Sequence, residues 1–227
     1  MIQLAPADYA AIGLSVKIAV TAVAISLPFG FAVAYLSTFA RFRGKLLLEA
    51  IVNLPLTLPP VVIGYLLLVL LGRNGWLGHL LEGLGIRIIF TWKAAVLACS
   101  VVGFPLLVRA IRIGMESIDI RLIQASRTLG ASWHDTLLSV ILPLSRRGII
   151  AGSSLMFARS LGEFGATIIV AGNIPGVTRT IPLAIYDYTA SPDGEPMAAA
   201  LCIVSITISV VILLFHERLN SRNREGT

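Results

Sequence analysis

Long apolar runs alternate with short polar interruptions along this chain, and one interruption is much longer than the others. The first run extends from about Ala10 to Ala40 with Lys17 as its one charge. The second covers about Leu46 to Leu71, the third about Phe90 to Ile113, the fourth about Gly148 to Ala171 and the fifth about Met197 to Phe215. About 20 apolar residues carry a helix across a bilayer core. The pattern therefore predicts an all-α integral membrane protein with five transmembrane helices. Between the third and fourth runs lies the polar stretch Glu116 to Arg147, long enough for a soluble partner to grip.

Prolines and glycines modify that picture. Pro28 and Gly30 fall inside the first run and Pro105 inside the third. The second run holds Pro55, Pro59 and Pro60, which remove helical donors and crowd preceding carbonyls. A break there is tolerated only where protein or a water-filled cavity covers the freed backbone. The three prolines are thus pore-lining candidates, with a simple kink as the alternative. The segments 72–93 and 172–196 read as mixed loops.

Composition agrees with membrane insertion. Of the 227 residues 56% are hydrophobic and 13% charged, against about 25% charged in soluble domains. Mean hydropathy is +0.88. The net charge of +6 resides in short loops, where it sets membrane orientation and gives no sign of nucleic-acid binding. Three Lys/Arg occupy residues 41–45, six arginines lie between 109 and 147, and three follow at 218, 222 and 224. This distribution predicts an N-terminus outside, with the polar stretch and the C-terminus inside. The first residues lack a basic region before the apolar run, so that run is expected to be structural and not a cleaved signal. The transmembrane domain is placed at residues 10–217 and a basic cytoplasmic tail at 218–227.

Few groups carry chemistry. Cys99 and Cys202 sit inside apolar runs and read as buried thiols packing as small hydrophobes. The three histidines show no metal-ligand spacing. There is no phosphate-binding G-x-x-x-x-G-K-[ST] loop and no nucleophile set beside a base, so the chain is not expected to be an enzyme or to bind a cofactor itself. Arg159 and Glu163 are charged residues inside the fourth run, four apart and on one helical face. They read as a structural ion pair or as a contact on a translocation path. Gly148 and Gly152, like Ala158 and Gly162, read as helix-packing positions, possible dimer contacts among them.

The polar stretch carries helix signals of its own. Asp119 is placed to cap a short amphipathic helix over Ile120 to Leu129, with Ile120, Ile123 and Leu129 opposite Arg121, Gln124 and Arg127. Gly130 suits a left-handed stop. Ser132 and Asp135 have capping-box spacing, a second short helix would follow to about Leu142, and Pro143 would mark the turn back to the membrane. Two short helices joined at Gly130 are expected. A lipid-surface amphipathic helix is the competing reading.

Ala125, Gly130 and Ile141-Leu142-Pro143 resemble the EAA motif of ABC importer permeases, with Gln124 and Ser126 departing from its first and third letters. Asn53 to Tyr65 resembles the second-span signature of molybdate permeases. Phe157 to Thr167 is similar to a stretch shared with sulfate permeases, and Asn173-Ile174-Pro175-Gly176 followed by Thr178 to Pro182 resembles the molybdate branch. The resemblance covers about Leu14 to Phe215. It implies the type I permease fold of binding-protein-dependent importers, with the polar stretch as a coupling helix that docks on an ATPase through Gln124, Ala125, Ser126, Gly130, Leu142 and Pro143. It also implies a homodimer, two ATP-binding subunits that hold ATP and magnesium, and a periplasmic oxyanion-binding protein, in a bacterial inner membrane. Permeases for sulfate, thiosulfate or tungstate remain the alternative substrates, and a stand-alone carrier or scaffold the alternative class.

Overall fold

The computed structural model describes residues 4–221, and the described residues are helical throughout their regular structure. Helix α1 (Pro6–Phe39) is followed by α2 (Lys45–Thr57), α3 (Pro60–Leu71), α4 (Trp76–Gly83) and α5 (Trp92–Glu116). The polar stretch forms α6 (Ile120–Thr128), α7 (Trp133–Thr136), a wide π turn (Leu137–Ile141) and α8 (Leu142–Leu144). Helices α9 (Arg146–Leu161), α10 (Gly165–Ala171), α11 (Ile181–Thr189) and α12 (Glu195–Ser221) complete the chain.

Three of these, α1, α5 and α12, are long and apolar enough to cross a membrane unbroken. By length and composition alone the total is up to five if each of two bent pairs counts as one span: α2 with α3, turned by 113°, and α9 with the Trp133–Leu144 end of the polar stretch, turned by 63°. At 34 residues α1 is about 50 Å long, so its ends project beyond the hydrocarbon.

The second run is thus two helices, and the three prolines are not equivalent. Pro55 stays inside α2, whereas the chain turns at Leu58-Pro59, and Pro60 occupies the first turn of α3 where no amide donor is needed. The fourth run is also divided. Helix α9 stops at Leu161, and Gly162 to Phe164 lead into the separate α10, so the expected continuous span to Ala171 is not formed. The 72–93 and 172–196 loops contain α4 and α11. Helix α12 extends past the expected domain boundary to Ser221, while residues 222–227 of the basic tail lie outside the described residues.

Helix α5 is central. It packs against α1 and α9, and its inner positions Ala94, Ala95, Ala98, Leu107, Ile111 and Met115 are buried. A β-carbon on Gly148 would lie 2.7 Å from the Ala110 carbonyl oxygen, and one on Gly152 would lie 2.8 Å from that of Leu107. The reciprocal position is Gly114, whose added β-carbon would meet Gly148 Cα at 2.8 Å. Gly148 and Gly152 therefore seat α9 on α5 of the same chain, whereas a β-carbon on Gly162 would meet nothing within 4 Å. Bare backbone contact replaces the side-chain interdigitation of soluble cores. A second close crossing joins α3 to α10, where Gly64 meets the Ala166 backbone.

Candidate functional site

The polar stretch folds from its caps outward. Asp119 Oδ1 accepts a hydrogen bond from the Arg121 amide at 2.9 Å and starts α6. Gly130 ends that unit at φ +88°, a backbone conformation that favours glycine, and no neighbour crowds the position. At Ser132 both halves of the capping box form. Its Oγ accepts from the Asp135 amide at 3.2 Å, and its own amide donates to Asp135 Oδ2 at 3.1 Å. The Ser132 hydroxyl, and next its backbone N–H, hold the Asp135 carboxyl below the usual carboxylate range. The box is therefore anionic and accepting at neutral pH.

Pro143 does not turn the chain. It lies within the helical turn α8, and the bend back to the bilayer falls at Ser145. The π turn immediately before it has a physical cause. A proline ring crowds the carbonyl four residues back, here that of Ser139, and a widened turn relieves the clash.

The amphipathic assignment of α6 is also corrected. Ile123 is half-buried on the protein, but Ile120 and Leu129 face outward together with Leu122. Leu129 is 88% exposed, and Leu138, Leu142 and Leu144 are exposed too. Gln124, Ala125, Gly130 and Pro143 share this outer surface, whereas Ser126 is half-buried and its hydroxyl lies 3.1 Å from that of Thr136. Apolar side chains grouped on an otherwise polar segment suit a partner surface or a lipid surface.

One contact ties this segment to the spans. Trp133 Nε1 donates to the Tyr35 hydroxyl at 2.8 Å, and the two rings meet edge to face with centroids 5.8 Å apart. Tyr35 lies near the end of α1. No local pattern announces this pairing, because 98 residues separate its partners.

Arg159 and Glu163 meet as their spacing predicts, with Arg159 Nη1 2.7 Å from Glu163 Oε2. Glu163 does more than pair. Its Oε1 accepts from the Ala166 amide at 2.8 Å, so the carboxylate caps the first turn of α10 across the break. The Glu163 side chain is 1% exposed and that of Arg159 32%. The other oxygen, Oε2, forms the ion pair with Arg159. Cys99 and Ser160 are buried beside the pair, with the thiol 3.6 Å from the Ser160 carbonyl oxygen.

The stretch from Asn173 to Pro182 builds a locked loop. Gly172 and Gly176 take φ near +70°, and Thr178 Oγ1 accepts from the Ile174 amide at 3.0 Å. Arg179 donates to Asn173 Oδ1 and lies 2.9 Å from Asp187 Oδ2. Ser15 Oγ of α1 then accepts from the Ile181 amide, and the Tyr188 hydroxyl donates to the buried Asp8. The stretch that resembles the molybdate branch thus reaches α1 through the Ile181 amide, and Tyr188 of α11 adds a second tie.

This bundle, with its two bent pairs and a capped polar segment between α5 and α9, defines a multi-pass membrane permease of the ABC importer type I fold. Solved structures agree. A bacterial alginate ABC transporter in complex with a pentasaccharide-bound periplasmic protein matches with TM-score 0.74 at 18% identity, over 94% of this chain and 78% of that one. The inward-facing MetNI methionine ABC transporter matches with TM-score 0.70 at 17% identity, over 93% and 92%. Residues 26–225 match the family described as binding-protein-dependent transport system inner membrane component, and the chain belongs to that family. Among its relatives, the molybdenum transport system permease protein ModB of Escherichia coli K12 is 51% identical over 96% of both chains. ModB of Haemophilus influenzae is 50% identical over 95% and 94%. The sulfate transport system permease protein CysW of Synechococcus elongatus is more distant, at 37% over 94% of this chain and 76% of its own.

Proposed function

We propose that this chain is the membrane-spanning subunit of an ATP-driven importer that moves molybdate into the cytoplasm by alternating access. The observation that carries the substrate is the near-complete match to molybdenum permeases at 51% identity, against 37% for a sulfate permease. The observation that favours an external motor is the rigidly capped segment 119–144 with its exposed leucines, a surface suited to docking.

In this reading two copies of the chain enclose the path, and a separate ATP-binding subunit docks on each copy through Gln124, Ala125, Ser126, Gly130, Leu142 and Pro143. ATP and magnesium reside in those subunits, and the chain itself binds no cofactor. The Trp133–Tyr35 contact passes motion of the docked segment into α1. A periplasmic oxyanion-binding protein delivers the substrate, so selection rests largely outside the membrane and the path needs no dense set of charged ligands. The N-terminus is periplasmic, the domain 10–217 transports, and the tail 218–227 lies in the cytoplasm beside anionic lipid.

Whole-cell uptake of radiolabelled molybdate tests the substrate. Excess tungstate, a tetrahedral dianion of nearly the same size, is expected to suppress uptake strongly, whereas equal sulfate leaves most of it. Suppression by sulfate and not by tungstate would reassign the chain to the sulfate branch.

A further inference from the structure

A cleft of about 320 Å³ opens between the last turns of α1, the middle of α2 and the second half of α5. Its polar wall is Ser37, Glu49, Asn53, Arg109 and Arg112, and the rest is apolar. Arg112 is committed: its Nη1 lies 2.8 Å from Glu49 and its Nε 2.6 Å from Glu116. Arg109 is not. Among the described residues it has no hydrogen-bond or ion-pair partner, and it stands about 10 Å along α5 from Glu116.

The neutral groups beside it are also under-used. The Ser37 side chain is buried in the wall, yet its hydroxyl makes no hydrogen bond among the described residues. Asn53 donates one amide proton to the Glu49 carbonyl at 2.7 Å and keeps the other. Arg112 is balanced by Glu49 and Glu116, so Arg109 is the one guanidinium of the wall without a carboxylate partner among the described residues. Arg109 is exposed, so its guanidinium is accessible to a ligand entering from outside the bundle.

We propose that this cleft binds a tetrahedral oxyanion, with Arg109 as its cationic ligand and Ser37 and Asn53 as neutral donors. One uncommitted guanidinium and two neutral donors hold an oxyanion without trapping it, as a station on a path requires. Two sources share that chemistry: free molybdate, which rests on the transport reading above, and the phosphate of an anionic lipid headgroup, which does not.

The test uses the full-length chain in nanodiscs. In discs of phosphatidylcholine alone, molybdate and sulfate are titrated by calorimetry. In discs that include phosphatidylglycerol, retained lipid is counted by native mass spectrometry. Arg109→Gln is expected to weaken molybdate binding by about tenfold, or to abolish phosphatidylglycerol retention, while Arg109→Lys keeps most of either. A loss in the first disc identifies free oxyanion as the source, and a loss confined to the second identifies lipid. Should Arg109→Gln fail to fold, Ser37→Ala and Asn53→Ala must each weaken binding by about threefold. Wild-type levels of both signals in every folded variant, or neither signal in the wild type, overturn the proposal. Molybdate uptake by the wild type is scored separately. Uptake present with binding indifferent to Arg109 sinks the cleft alone; uptake absent with Arg109-dependent lipid retention sinks the transport reading alone.

Discussion

Gly148→Leu is expected to prevent the chain from reaching its native packing. Even one added carbon lies 2.7 Å from the Ala110 carbonyl and 2.9 Å from Gly114 Cα, and both obstacles are backbone. No rotamer change can clear them, so α9 must lift away from α5. Lifting it uncovers Leu107, Ile111, Met115 and Met156, which are buried at and around this crossing. Overpacking a tight interface costs about 1–3 kcal/mol, and a full isobutyl group against two backbones belongs at or above the upper end. The melting temperature in detergent should fall by roughly 10 °C, or the monodisperse peak should vanish. Gly13→Leu is the matched control, because a β-carbon there meets nothing within 4 Å. A Gly148→Leu protein that melts with the wild type would mean that α5 and α9 do not cross as described.

Glu163→Gln is expected to have the second largest effect. The substitution keeps the shape and one carbonyl acceptor for the Ala166 amide, but it removes the charge that faces Arg159 at 2.7 Å. Breaking a fully buried pair costs about 3–5 kcal/mol; Arg159 retains partial access to water, which lowers the expectation to about 2 kcal/mol. The double variant Arg159→Gln with Glu163→Gln separates two roles. If the pair is structural, the double variant regains much of the lost stability and transport. If Arg159 contacts the passing oxyanion, stability returns and uptake does not.

How far these features could be read from the sequence depends on the range of the interaction. Cap chemistry acts over three residues, so Asp119, Gly130 and the Ser132–Asp135 box all take the expected geometry. The Arg159–Glu163 pair, four residues apart, was equally local, although α9 ends before Glu163. The fold class followed from apolar runs alone. Breaks inside those runs were harder. Hydropathy does not distinguish a straight span from α2 turned by 113° into α3, and the three prolines alone did not show that Pro55 is absorbed and Pro59 is not. The division of α9 from α10 had a quieter signal, Gly162 beside a buried acid, which becomes meaningful only when Glu163 is seen capping the next helix. Long-range partners left no sequence trace at all. Trp133 with Tyr35, Ser15 with Ile181 and Asp8 with Tyr188 are brought together by the bundle.

The locked loop from Asn173 to Pro182 shows what such a motif records. Its residues resembled a substrate-specific branch, yet Asn173, Thr178 and Arg179 are engaged within the loop or with Asp187 of α11, and the Ile181 amide is bonded to Ser15 of α1; the buried Thr180 hydroxyl makes no hydrogen bond among the described residues. A family signature can therefore preserve a joint instead of a ligand contact. Further uncommitted groups lie around Arg109.

Transport in a defined system bears most directly on how this permease is driven. Proteoliposomes holding the chain with a copurified ATP-binding subunit, supplied with oxyanion-binding protein and radiolabelled molybdate, are followed with and without ATP, and again with Gly130→Val. Valine at φ +88° is strained and should distort the joint between α6 and α7. Accumulation is expected only with ATP and the ATP-binding subunit present, and the Gly130→Val vesicles should hydrolyse ATP while importing little. Undiminished molybdate uptake by vesicles that lack the ATP-binding subunit would contradict a permease driven through residues 119–144.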